Sequence, residues 1–154
     1  MNVTKIVVGV DGSPRQAGVM AAAAELGVRF GAPLTLVQSI GIPPEIPEEA
    51  WRTPGLDLQT FLAQNARRQL EAAREKLPES LRETARLETV FAAPWQGICT
   101  VAECCGADLI VIGSHGYGGL DRVLGTTAAR VVNHAACSVL VVRAESKNTK
   151  PEAT

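Results

Sequence analysis

Five short apolar runs, separated by segments with helical spacing, restrict this chain to very few folds. Residues 5–10, 33–38, 84–91, 109–112 and 138–142 read as strands, with four helical segments between them. That alternation builds a parallel α/β sheet with helices on both faces. The strands differ in a useful way. The first, fourth and fifth are continuous apolar runs, as in strands covered on both sides. The third alternates charged and apolar residues, as an edge strand does. The order 3-2-1-4-5 satisfies this and makes the first and fourth strands neighbours whose connections leave in opposite directions. Asp11 and Gly113 then stand at the carboxyl ends of those two strands, at the switch point where open α/β sheets bind ligands.

The intervening segments have their own punctuation. Ser13 is a suitable N-cap and Pro14 a suitable first helical residue. The helix that follows places Ala17, Met20, Ala21, Ala24 and Val28 on one stripe and ends at Gly31. Residues 41–55 hold Pro43, Pro44, Pro47 and Pro54 and read as a loop, either a surface excursion or a lid. Leu58, Leu62, Ala66, Leu70, Ala73 and Leu77 define a long amphipathic helix with Arg67, Arg68, Glu71, Arg74 and Glu75 turned outward. A second turn over residues 92–97 leads to a helix with Ile98, Val101, Ala102 and Cys105 inward, closed by Gly106. The last helix spans residues 127–135.

At 154 residues the chain is expected to form one domain over residues 1–145, followed by a polar flexible tail over 146–154. A domain of this length buries about 68–70% of its unfolded surface. A net charge of −1 argues against a nucleic-acid partner, which needs a concentrated basic face. No leader segment is visible and no run approaches a membrane span; a cytoplasmic protein with no membrane association is expected. Cys99, Cys104, Cys105 and Cys137 lack zinc spacing and read as reduced core or near-core residues. The vicinal Cys104-Cys105 pair would suit a redox sensor, but no basic neighbour supports that.

The chemistry concentrates between Asp108 and Val132. A strand stops at Gly113, a loop carries Gly113, Gly116, Gly118 and Gly119, and Gly125, Thr126 and Thr127 open a helix. Glycines admit a ligand close to the backbone, and the unpaired N–H groups of a helix start favour an anion. The pattern is a phosphate cradle. A Walker A loop is excluded because no Gly-Lys pair exists. A dinucleotide fingerprint is excluded because Asp121 stands where the third glycine belongs. A phospho-receiver is disfavoured because no paired acids follow the first strand.

The stretch resembles the nucleotide-binding branch of the universal stress protein family. Of its signature, Gly-x-x-Gly, nine residues, then Gly-Ser/Thr, Gly113-Ser-His-Gly116 matches the first half and Gly125-Thr126 the second. Val10-Asp11-Gly12-Ser13, Asp108-Leu-Ile-Val-Ile-Gly113 and Ser138-Val-Leu-Val-Val142 supply the family-like context, to about Arg143. Three departures stand out. Residues 117–124 make the spacer one residue short, Ala92 replaces a glycine common in the family, and Gln38-Ser39 replaces a common His-Val pair.

The resemblance implies that Val10 and Asp11 face the ligand, with Asp11 near the ribose and Ser13 beside it. It places the backbone at Ser39 and Ile40 against adenine. It assigns Ile112, Gly113, His115 and Gly116 to the glycine loop, and Gly125, Thr126 and Thr127 to the phosphates. Asp11 has a plainer reading as an Asx-turn residue, Gly125 to Thr127 as helix capping, and His115 as a loop residue shaping the cradle. Trp51 and Trp95 default to packing, and Arg122 and Arg130 to a solvated helix face. The resemblance also implies a homodimer through Ser138–Val142, an exposed edge otherwise prone to unwanted pairing.

The resulting expectation is an ATP-binding regulatory or stress-response protein, with magnesium on the phosphates and at most slow ATP hydrolysis. Two alternatives remain: a dimeric interaction module of the same fold with an empty crevice, and a slow ATPase. No metal site and no catalytic residue are expected in the chain itself.

Overall fold

The computed structural model describes residues 1–41, 57–114 and 124–143. Its strands are β1 (Ile6–Gly9), β2 (Leu34–Ile40), β3 (Arg86–Phe91), β4 (Leu109–Gly113) and β5 (Ser138–Val142). Its helices are α1 (Gln16–Phe30), α2 (Leu58–Glu75), a short α3 (Glu79–Arg82), α4 (Pro94–Cys105) and α5 (Thr126–His134). The strands form one sheet in the order β3-β2-β1-β4-β5, and every pairing is parallel.

Alternation along the strands sends side chains to two separate cores. Ile6, Val8, Leu34, Leu36 and Val111 pack under α1 and α2 with Val19, Met20, Ala23, Leu70 and Ala73. Val7, Val37, Ile110 and Ile112 pack under α4 and α5 with Ile98, Val101, Ala102, Ala128 and Val131. The sheet is therefore doubly wound. Both outer strands lack a fully buried residue. That agrees with the alternating third strand but corrects the expectation for the fifth. Leu140 of β5 is 38% exposed, because only one side of that strand is fully backed.

The helices correct the sequence reading in four places. Ser13 is not the N-cap of α1. Its N–H donates to Asp11 Oδ1 at 2.9 Å in an Asx turn, and its carbonyl accepts from Gln16 N–H. The helix is thereby delayed to Gln16. Its buried face is Val19, Met20, Ala23 and Gly27, whereas Ala17, Ala21 and Val28 are exposed. The run of alanines made the stripe ambiguous, and packing chose a neighbouring one. The turn expected to reach Gly97 ends at Ala93, with Pro94 opening α4. The short α3 carried no periodic signal at all.

Other expectations hold. Gly31 and Gly106 cap α1 and α4 in the left-handed conformation, at φ 60° and 67°, where glycine carries no steric cost. Ala66, Leu70, Ala73 and Leu77 are buried along and just past α2, and Arg67 pairs with Glu71 at 3.3 Å on its wet face. At the amino ends of β1 and β4, Asp108 Oδ2 accepts from Thr4 N–H at 2.7 Å, Thr4 Oγ1 at 2.6 Å and Lys5 N–H at 3.1 Å. These bonds, chiefly from the Thr4 hydroxyl, hold the Asp108 carboxyl below its ordinary pKa.

Candidate nucleotide cleft

Strands β1 and β4 are paired from Ile6–Leu109 to Val8–Val111, but their chains part beyond those pairs. From β1 the chain turns into α1 on one face; from β4 it leads toward α5 on the other. The gap between them is a cleft of about 280 Å³. Gly9, Val10, Asp11 and Gln16 form one side, Ile112, Gly113 and Thr127 the other, and Val37, Gln38 and Ser39 the back. Gly9 is close-packed there, since a Cβ would lie 3.0 Å from both Ile112 Cγ2 and Ile98 Cδ1 and would press on two side chains that line the cleft.

The expected site residues distribute as follows. Val10, Asp11, Ser39, Ile112, Gly113 and Thr127 meet in this cleft. Gly125 is the N-cap of α5, in extended conformation with φ −63° and ψ 162°, and makes no side-chain cap hydrogen bond. The first N–H groups of α5 have no intrahelical acceptor by construction, so Gly125, Thr126 and Thr127 present donors at that helix end.

Ser13 is not among the described lining residues of this cleft. Its side chain lines a separate groove between α1 and α2, as the Asx turn carries it away from the cleft. Ser39 and Ile40 belong to β2 rather than to a loop, paired with Val90 and Phe91. Ser39 Oγ donates to Pro94 O at 3.2 Å and packs so closely on Gly97 that a Cβ there would overlap it. The Ile40 side chain is turned to a neighbouring apolar hollow with Leu58, Leu62 and Phe91. His115, Gly116, Trp51, Arg122, most of the 41–55 loop and the 146–154 tail lie outside the described residues.

Two residues that the sequence reading missed, Gln16 and Gln38, line the cleft, and Gln69 of α2 holds the second of them. Gln16 Oε1 accepts from Gly12 N–H at 2.7 Å, and Gln38 donates to Gln69 Oε1. Glutamine carries no motif, and this meeting of three distant segments left no signal in the sequence. Trp95 is a packing residue, its ring centroid 4.5 Å from that of His134, with Arg130 Cζ 6.0 Å from it.

Electrostatically the cleft is sparse. Asp11 is the one ionisable side chain among its described lining residues. Among the described residues an anion here would meet backbone N–H groups and the helix-end dipole rather than lysine or arginine. A larger open concavity of about 850 Å³ lies at the opposite end of the sheet, with Lys5, Arg86 and Cys104. It borders the carboxyl end of α4, where Lys5 Nζ donates to Cys105 O at 3.0 Å. It has no helix N-terminus comparable to that of α5.

The cysteines separate by environment. Cys99 is buried, Cys105 and Cys137 are half-buried, and Cys104 is exposed, correcting the expectation that all four belong in or near the core. Burial pushes the Cys99 and Cys137 thiols up, which keeps them protonated and poorly nucleophilic. Among the described residues no group of His, Cys, Asp and Glu is arranged to hold a metal ion. No helix there is long and apolar enough to cross a membrane.

A doubly wound parallel sheet with a cleft at its switch point, beside the first turn of α5, defines the class of α/β domain whose ligand sites lie at the carboxyl ends of the strands. The chain belongs to the universal stress protein family, whose family model matches residues 2–143. It is similar to universal stress protein A homolog 1 of Coxiella burnetii, at 30% identity over 92% of this chain and 97% of that protein. The solved UspA structure from Lactobacillus plantarum aligns with a TM-score of 0.67 at 26% identity, covering 93% of this chain and 99% of that one. A universal stress protein of Archaeoglobus fulgidus, solved in complex with dAMP, aligns at 0.63 and 23% identity over 93% and 100%.

Proposed function

We propose that this protein binds an adenine nucleotide, ATP foremost, in the β1–β4 cleft and acts as a regulatory homodimer with little or no turnover. One observation carries the reading. The first turn of α5, at Thr127, and the carboxyl ends of β1 and β4 meet around one cleft. The dAMP complex of the Archaeoglobus relative supports adenine nucleotides as the ligand class.

The residues present fit such a group. Gly113 lets the chain approach the phosphates, and the α5 N–H groups at Thr126 and Thr127 donate to them. Asp11, held by its Asx turn, faces the sugar, and the end of β2 faces the base. A hydrogen bond to a charged group nets about 1.5–3 kcal/mol, so four give roughly 6–12 kcal/mol before several kcal/mol of immobilisation. Micromolar affinity follows without any lysine. A magnesium ion would ride on the phosphates, its charge offset by them rather than by a cluster of carboxylates. Asp11 is committed to holding the turn, so among the described lining residues no general base is offered, which supports low turnover.

The homodimer reading rests on β5. Among the described residues it is the terminal strand of the sheet, and Leu140 is exposed; pairing with a second copy about a two-fold axis would cover that edge. Chromatography of nucleotide released from freshly purified protein, with sedimentation of the same sample, tests both parts. Adenine nucleotide in a dimer is expected; a nucleotide-free monomer that gives no heat with millimolar Mg-ATP would refute them.

A further inference from the structure

A second hollow opens beside the candidate cleft. It holds about 570 Å³ at the carboxyl ends of β2 and β3, lined by Ile40, Phe91 and Ala93 and, from the start of α2, by Leu58 and Leu62. Gln59 brings the one polar side chain among its described lining residues, and none of them is charged. Phe91 is 43% exposed, an aromatic ring left to water at the tip of an edge strand. A concave, largely apolar surface with few polar groups is the usual form of a ligand pocket. This one shares a boundary with the cleft. Ser39 and Pro94 line the cleft, and their chain neighbours Ile40 and Ala93 line the hollow.

We infer that this hollow is a subsite for an apolar substituent on the exocyclic amine of adenine, so that the protein favours adenine nucleotides alkylated or arylated there over plain ones. The inference rests on the nucleotide reading above and narrows its ligand class. The order of the strands carries it. From β4 the sheet runs through β1 and β2 to β3, at about 5 Å per strand. With phosphates at α5, the sugar at Asp11 past β1 and the base at the end of β2, the far edge of the base points toward β3. The exocyclic amine stands on that edge. Ile40 and Phe91, paired across β2 and β3, meet the hollow just beyond it. A singly substituted amine keeps one N–H, while its apolar group leaves water for an apolar surface. The hollow is roomier than the cleft, about 570 against 280 Å³, which leaves space for an added ring.

Calorimetric titration of the full chain with ATP, N⁶-benzyl-ATP and N⁶-carboxymethyl-ATP, repeated on Phe91→Asp, tests this. The unaltered protein should bind N⁶-benzyl-ATP about tenfold tighter than ATP, a difference of about 1.4 kcal/mol. It should bind the charged carboxymethyl analogue no tighter than ATP. Phe91→Asp, which sets a carboxylate beside the hollow, should bind N⁶-benzyl-ATP and ATP within about twofold of each other. Leu62→Gln serves if that variant does not fold. A benzyl gain below about threefold in the unaltered protein would overturn the inference while leaving nucleotide binding intact; another part of the chain filling the hollow would give that result. So would an equal gain from the carboxymethyl group, or a benzyl preference that survives both substitutions. Absence of binding to any of the three nucleotides would overturn the nucleotide reading itself, and this inference with it.

Discussion

The two ends of the β1–β4 pair are built on opposite principles. At the amino end one carboxylate, Asp108, gathers three hydrogen bonds from Thr4 and Lys5 and closes the strands together. At the carboxyl end the same strands diverge, and a cleft lies between them. One end is satisfied within the chain. The other presents donors at α5 and a sealed acceptor at Gln38 that the described residues do not satisfy. The contrast teaches where stability and binding reside, and substitutions at each end should separate the two.

The largest effect belongs to neither end but to the middle they share. Ile110 is fully buried on β4, and Ile110→Ala should cost about 2–5 kcal/mol in denaturant unfolding. Both ends should fail together in one transition. If nucleotide binding vanishes while stability is unchanged, the two ends are not coupled through the strand core.

Next, Gly97→Ala should cost about 1–3 kcal/mol, because its Cβ would overlap Ser39 Oγ at the back of the cleft. Ser39→Ala in the same chain should restore most of that loss in a thermal melt. Failure of the rescue would mean that Gly97 is required for another reason.

Thr127→Asp sharpens the comparison by giving opposite signs. A carboxylate in the first turn of α5 favours the helix by about 0.3–1 kcal/mol, yet it repels a polyphosphate. Melting temperature should hold or rise while ATP affinity falls about tenfold, or 1.4 kcal/mol. Affinity that stays constant would remove the phosphates from that helix end.

The smallest effect is at the closed end. The pKa of Asp108 is lowered from 3.8 in the folded state. Its stabilisation is therefore present above that pH and is lost as pH falls through the lower folded value. Asp108→Asn should flatten the acid limb of a plot of melting temperature against pH and leave ATP affinity at pH 7 unchanged. An unaltered acid limb would show that the Thr4 bonds do not form in solution.

Sheet order and the switch point were legible because apolar continuity and charge alternation distinguish central from edge strands, and Gly31 and Gly106 mark helix ends by a backbone need. The face of α1 was not legible, since Ala21, Ala22, Ala23 and Ala24 present the same small surface in every direction. Of the expected cradle residues, Gly113 and Thr127 line the cleft and Gly125 is the N-cap of α5. The glutamines at positions 16, 38 and 69 were not legible, because their roles arise only when β2, α1 and α2 converge. Ser13 misled for a similar reason. Its hydroxyl resembles a cap, but the preceding aspartate claims its N–H first.

The central proposal is that the gap above β1 and β4 holds an adenine nucleotide. Calorimetric titration of the purified protein with Mg-ATP addresses it most directly. Saturable binding in the micromolar range, one nucleotide per protomer, is the expected result. No heat up to millimolar nucleotide, from protein shown to be folded and nucleotide-free, would contradict it.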